Sequence, residues 1–442
     1  MINNTKNFLT KGQINFLSYL ISLVPASLIA GVFIADLIVS FCAIIFLYAS
    51  FKEKFKFFYN HWIVKVLIIF YCYLVLKSLI NNEELHSILR SIFYIRYILF
   101  SILICYIYNL NPRFSKIFLK FLTLTLVILS LHAYLQHFLS FDLMRLNFNE
   151  ISFKQNFSTI FNQYNVPIDY RISGLFYSES ILGSFIEKIL PIYLGLVFLH
   201  NKSKKYFILS IIFFFLVFIS GERSAVALSL LFFVTFFLMF HSKLKQKLYI
   251  ISILFIAALF IFSNPNMSHR IIDNTIANVT EKKSQSTDSN GKKLNINFFS
   301  LGHQGHFKSA FSIFLDNPIF GVGIKNFRYE CKKPEYKDVY SCTTHPHNTY
   351  LQLLAETGIV GFSLIFMIFL FLSYQIFRLI FFRKIRIKVS NHYKCFLLGL
   401  FINLWPIIPT GSFFNNWMSI CYFLSIGFFL GEIYKNKNQY KI

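Results

Sequence analysis

The chain has 442 residues, of which 56% are hydrophobic and only 14% charged, and it carries 58 phenylalanines. A composition this apolar excludes a water-soluble globular protein and calls for a lipid environment. The formal net charge of +24 then reads as a topology signal and an attraction to anionic headgroups, and argues against nucleic-acid binding.

Apolar runs near the ~20 residues that a helix needs to cross a bilayer recur along the chain, whereas barrel strands would show short alternating segments. The expected fold is an all-α polytopic membrane protein of about twelve transmembrane helices. Five spans, at 14–31, 33–50, 61–80, 91–110 and 116–139, form an N-terminal group within residues 1–139. The run from Ile14 to Ser50 has Asp36 as its only charge, so it is either two spans or one broken helix. A first outer loop fills 140–177. Spans at 178–199, 206–221, 223–240 and 248–264 make a second group, 178–264, and a large outer loop occupies 265–357. Residues 358–442 hold the last three spans, at 358–379, 394–411 and 416–433, and a tail. No internal repeat is apparent. No small-residue cleavage site follows the first apolar run, which is therefore expected to stay as a span.

The intervening loops sort by charge. Those holding Lys52 to Lys56, Arg113 and Lys116, Lys202 to Lys205, Lys243 to Lys247 and Arg383 to Lys388 are basic, as is the tail from Lys435 to Lys441. The opposite short loops, around Gly31, Gly221 and Thr410, carry almost no Lys or Arg. The positive-inside rule then puts both termini in the cytoplasm and the two long loops outside.

Within the second outer loop, the patch from Glu281 to Lys293 has nothing to bury. It is followed by an amphipathic stretch from Phe307 to Leu315 and by Asp316 to Gly323, whose Pro318, Gly321 and Gly323 read as a tight turn. A small folded cap is expected. Cys42, Cys72, Cys105, Cys395 and Cys421 lie in or beside spans and serve as small apolar residues. Cys331 and Cys342 are the two on the outer side, where an oxidising compartment would pair them, contributing about 3 kcal/mol on the chain-entropy model. The alternatives are two free thiols, or a zinc site shared with His345 and His347.

The cap leads into His345-Pro346-His347-Asn348. Pro346 holds the backbone extended, Asn348 is a good N-cap, and Leu351, Leu353 and Leu354 give an apolar face before Gly358 ends a short helix. His347 would then sit at a helix N-terminus, where N–H groups favour an anion and a neutral imidazole can take a proton. A lone histidine in such a place is more often structural.

The spacing around this one says more. His347-Asn348, nine residues, Gly358, two residues and Gly361 resemble the signature of the O-antigen ligase and polymerase superfamily, bacterial membrane enzymes that move glycans from an undecaprenyl-pyrophosphate carrier. The resemblance extends to the Asp316–Gly323 segment, Arg171-Ile172-Ser173-Gly174 and Ser220-Gly221-Glu222-Arg223-Ser224-Ala225, and covers most of 165–435. It implies a GT-C-like architecture in the bacterial inner membrane with a periplasmic site. The donor would be an undecaprenyl-pyrophosphate-linked glycan and the acceptor lipid A core or another glycan. Neither metal nor other cofactor is implied. His347 would act as base on the acceptor hydroxyl with inversion, and Arg171 and Arg223 would hold the pyrophosphate. His345, Asn348, Gly358 and Gly361 would support the motif.

The charge-derived topology independently puts Arg171, Arg223 and His347 outside. A guanidinium binds phosphate with two hydrogen bonds and keeps its proton, so two of them suit a diphosphate leaving group. The bland alternatives are an Arg223 that snorkels and pairs with Glu222, and an Arg171 that is a solvated loop residue. One departure stands out: family members commonly carry a Gly-Arg pair before the amphipathic stretch, and this chain has Gly302-His303-Gln304-Gly305-His306-Phe307. His303 would take that arginine's place, with Lys308 or Arg270 as the alternative cation.

Length, one dominant late loop and the complete signature favour a ligase over a repeat-unit polymerase. A third family type, which transfers glycans to protein, tends to carry further outer or C-terminal material. A transporter of polyprenyl-linked sugars would need mid-bilayer ionisable or broken segments and inverted repeats; the former are scarce, with Asp36, Lys65, Glu187 and Pro406 the main candidates, and no repeat is apparent.

Overall fold

The computed structural model describes residues 9–53, 56–80, 85–139, 171–177, 179–200, 204–240, 301–337 and 341–436, whose regular elements are all helices. The first stretch gives α1 (Lys11–Ser22), α2 (Val24–Ala30), α3 (Val32–Glu53), α4 (Lys56–Tyr59), α5 (Trp62–Ile80), α6 (Leu85–Phe93), α7 (Ile95–Leu110) and α8 (Phe114–Leu139). Then come α9 (Leu182–Leu199), α10 (Lys204–Ile219) and α11 (Arg223–Met239). The cap holds α12 (Leu301–Asp316) and α13 (Phe327–Glu330), and the chain closes with α14 (Thr349–Phe381), α15 (Arg383–Lys388), α16 (Asn391–Asn403) and α17 (Asn416–Lys435). The expected span at 248–264, the patch Glu281 to Lys293 and Arg270 lie outside the described residues.

Seven helical segments among the described residues are long and apolar enough to cross a membrane, and the α1–α2 pair, bent by 41°, makes up to eight. The apolar run from Ile14 to Ser50 is therefore the bent α1–α2 pair followed by a separate α3. Pro25, in the first turn of α2, has no N–H to continue the helix before it. The stretches expected as spans at 206–221 and 223–240 form α10 and α11, helices of 16 and 17 residues that are shorter than the seven spanning segments. The span expected at 394–411 is not continuous: α16 stops at Asn403 after 13 residues. Pro406 and Pro409 follow, and each removes a donor and pushes the residue before it out of helical geometry. The expected twelve continuous spans are thus not reached among the described residues.

Helix α17 is almost wholly buried and runs against α7, with Gly427 and Gly431 set on Ile104 and Tyr108. Similarly Gly195 of α9 faces Phe396 of α16, and Gly399 of α16 faces Pro191. Small residues let helices approach closely where lipid gives no hydrophobic drive for them to meet. At one end of this bundle Arg96 binds Asp36 with two hydrogen bonds (2.9 and 3.2 Å) and Asn416 donates to the same carboxylate at 3.2 Å. At the other end Glu432 meets His392 (2.7 Å), Tyr434 reaches the Phe58 carbonyl (3.1 Å) and Arg386 the Leu238 carbonyl (3.1 Å).

The cap is sewn to α14 across a kink. Gly358, at φ 62°, breaks the helix and leaves backbone groups of both halves without intrahelical partners. The turn after α12 supplies them: Val322 and Gly323 N–H donate to the Ala355 and Glu356 carbonyls (2.9 Å each), and Ile359 N–H donates to Pro318 (2.8 Å). The Tyr73 hydroxyl donates to the Thr357 carbonyl at 2.6 Å. Gly321 and Gly358 lie back to back, and a Cβ on Gly358 would run into the Ile319 carbonyl; one on Gly361 would meet Thr357 and Tyr73. A side chain at that positive φ costs about 1–2 kcal/mol before the collision is counted. The Gly358→Ala protein is therefore expected to accumulate poorly or melt well below wild type in detergent. An unchanged melting temperature would mean that the two backbones do not meet as described.

Candidate active site

The site is built on the start of α14. Asn348 caps the helix, its Oδ1 accepting from the Tyr350 and Leu351 N–H groups at 3.0 Å each. Its Nδ2 donates to the Pro406 carbonyl at 2.7 Å, so the cap residue also ties down the segment between α16 and α17. That segment grips the neighbouring residues: Thr410 N–H donates to the His347 carbonyl (2.9 Å), and the Thr349 and Thr410 hydroxyls bond at 2.9 Å. Gln352 reaches Ser412 (3.0 Å), Glu356 (3.0 Å) and the Phe413 N–H (2.8 Å). His347 itself has φ 53°, a left-handed conformation that a histidine holds only when its surroundings impose it.

Three imidazoles surround the His347 ring, with centroids at 4.2 Å for His345, 5.4 Å for His306 and 5.5 Å for His303. His303 and His306 stand three residues apart on α12, hence on one helix face. The helix begins at Leu301, earlier than the amphipathic stretch expected from Phe307. His306 was not singled out in the sequence, although its spacing to His303 is the signal that would have found it. Lys308 is exposed and lies about 200° around α12 from His306, on the far side.

Crowding and burial keep these rings neutral. Burial lowers the His347 pKa to about 4, aided by the charges of His303 and His306. Burial also takes His345 to about 3, with His347 contributing. His306 and His303 are lowered for the same first reason. His303 is further lowered by His306 and then by the charges of Arg223 and Arg171. Arg171 is exposed and Arg223 half-buried. Glu222 is turned away from Arg223: its Oε1 accepts from the Gly183 N–H at 2.6 Å and its Oε2 from the Ser184 hydroxyl at 2.6 Å, at the start of α9. Burial raises its pKa against those bonds and against the Arg171 charge. The geometry therefore brings together His303, His306, His345 and His347, with Asn348, Gly358 and Gly361 as their frame, and Arg171 and Arg223 act on this cluster through their charges on His303.

Cys331 and Cys342 form a disulfide with a Cα–Cα distance of 5.2 Å. With both sulfurs in that bond, the shared zinc site is ruled out, and among the described residues no trio of His, Cys, Asp and Glu is disposed to hold a metal ion. The bridge packs into the cap core with Ala310, Ile313, Phe327 and Ala355, three residues ahead of His345. Opening it with reductant, or by the double Cys→Ser change, is expected to remove about 3 kcal/mol from the cap. Proteolysis of that loop in the intact protein should speed up accordingly, and equal rates with and without reductant would refute the role.

Residues 208–366 match a family model described as O-antigen ligase. The matched stretch runs from α10 through α11 and the cap to His347, Gly358 and Gly361, so it contains every site residue named above except Arg171. A search of curated proteins finds no match. The signature spacing and the capped and kinked helix start lie within or beside this match, so residues 208–366 are similar to the O-antigen ligase family.

Proposed function

We propose that this protein transfers a glycan from undecaprenyl pyrophosphate to an acceptor sugar hydroxyl at the periplasmic face, and that the acceptor is lipid A core. The observation that carries this reading is a neutral, half-buried His347 held in a left-handed backbone against His303, a ring that feels the charges of Arg223 and Arg171. Lys204, Lys205, Arg386 and Lys435 gather at the opposite end of the bundle, which supports a cytoplasmic position for that end and for both termini.

In this mechanism Arg171 and Arg223 hold the diphosphate of the donor. His347 takes the proton of the acceptor hydroxyl as its oxygen attacks the anomeric carbon from the face opposite the diphosphate. The carbon–oxygen bond to the diphosphate breaks, its electron pair leaves on the phosphate oxygen, and the anomeric configuration inverts. The lipid diphosphate already activates the sugar, so the chemistry asks for no nucleotide. General-base assistance of this type is worth about 10² to 10⁴ in rate. The negative charge of the bound diphosphate favours the imidazolium and raises the His347 pKa toward the operating range, where a base is most effective.

The test is a strain lacking this protein, complemented with wild type or with His347→Ala, its surface glycan displayed on a gel. Ligation predicts that His347→Ala leaves carrier-linked polymer that never reaches core. A core bearing a single repeat would identify a polymerase instead. An unchanged ladder would refute both.

A further inference from the structure

A second set of cations borders the histidine cluster on the side of His345. Arg90 lies in the last turn of α6, and Lys325 and Arg328 lie at α13. The two segments dock directly: the Ser87 hydroxyl donates to the Ile324 carbonyl at 3.3 Å, and the His86 ring packs on Tyr329 at 5.4 Å. Ser87 and Arg90, three residues apart, share the face of α6 that meets the cap. Lys77 of α5 approaches from below, its Nζ 3.4 Å from the Glu356 carbonyl.

Among the described residues the charges of Arg90, Lys325 and Arg328 do not balance. Among the described residues Glu356 is the carboxylate beside Arg90, Lys325 and Arg328, and it is already engaged, accepting from the Phe327 N–H at 3.3 Å and from Gln352 at 3.0 Å. The acids nearby are committed elsewhere: Asp36 to Arg96 at 2.9 Å, and Glu330 to Lys333 at 2.6 Å. Burial and the charges of Arg90 and Arg328 lower the Lys325 pKa to about 8. Arg90 Nη1 and Arg328 Nε are both buried with no hydrogen-bond partner among the described residues. Buried guanidinium N–H groups are normally satisfied, and leaving them so is expensive. Lys325 is moreover held at φ 59°, the same uncommon region as His347. The Arg328 charge reaches His345, which packs on His347. Arg171 and Arg223, by contrast, act on His303.

We propose that Arg90, Lys325 and Arg328 form a second anion site, which binds a phosphate or carboxylate substituent of the acceptor glycan next to the hydroxyl that His347 deprotonates. This rests on the transfer reaction proposed above. The donor diphosphate has its own pair of arginines, so an anion held on the His345 side belongs to the other substrate. The site selects acidic acceptors and aligns them through a bidentate guanidinium.

The full-length protein in phosphatidylcholine vesicles, with carrier-linked glycan as donor, tests this. The acceptor is lipid A core, native or chemically dephosphorylated. The Arg90→Gln/Arg328→Gln protein should show an acceptor KM raised on the order of tenfold or more, with the donor KM unchanged, since charged hydrogen bonds are lost on one substrate only. Arg90→Lys/Arg328→Lys should recover part of the loss, and single Arg328→Gln gives the same direction if the double variant fails to fold. If dephosphorylated acceptor abolishes the difference, the anion is phosphate; if the difference persists, it is a carboxylate. Unchanged acceptor KM in variants that fold, with wild type active, overturns the second site alone. A loss seen only in vesicles containing phosphatidylglycerol assigns the site to a lipid headgroup and also overturns it. A wild-type protein that transfers to neither acceptor defeats the ligase reading itself.

Discussion

Purified His347→Ala protein is expected to lose about two to four orders of magnitude in kcat while still binding donor, because the base is gone and both arginines remain. The imidazole makes no contribution to starting α14, which Asn348 caps, so the variant should accumulate normally. The pH profile separates this role from a structural one. The active form is the neutral imidazole, and in the free protein burial lowers its pKa to about 4. Lowering that pKa extends the active range toward acid, so kcat/KM should stay level from neutral pH down to about 5 and fall only as pH approaches 4. In kcat the acid limb should move to higher pH, since the bound diphosphate favours the imidazolium. An acid limb of kcat/KM at the ordinary histidine value of about 6.5 would show that the ring is not buried as described.

The arginine pair is expected to give the second large effect. A hydrogen bond to a charged group is worth about 1.5–3 kcal/mol, so Arg171→Ala or Arg223→Ala alone should lower kcat/KM for the donor by about 10- to 100-fold. Both act on one diphosphate, and the double variant should fall short of the product of the single effects. Lysine should restore only part at either position, having a point charge and no planar fork. Donor kinetics that do not change in either single variant would remove the arginines from the mechanism.

Local rules carried the reading of the motif a long way. Asn348 caps α14 and Gly358 ends its first segment because capping and positive φ are properties of single residues and their immediate neighbours. The break after Asn403 was harder. Leu404-Trp405-Pro406-Ile407-Ile408 is as apolar as a span, and what holds it out of helix is tertiary: the Tyr350 hydroxyl takes the Leu404 carbonyl at 2.7 Å and Asn348 takes that of Pro406. Its local sign, two prolines within four residues, was outweighed by hydropathy. His306 escaped notice because its role depends on α12 starting at Leu301, before the amphipathic pattern begins. The approach of Arg171 and Arg223 to His303 joins segments with no sequence relation, and charge topology could give only their shared side. The cations of α6 and α13 are invisible as a group until the cap is docked.

The grip of Thr410 on His347 ties the candidate site to the last step of membrane insertion. Residue 347 leaves the ribosome 63 residues ahead of residue 410, and the segment carrying Thr410 and Ser412 takes its place only between α16 and an inserted α17. Until that last helix is in the membrane, His347 has its motif but not its clamp. A nascent chain is therefore expected to hold His347 unclamped until insertion of α17 is complete.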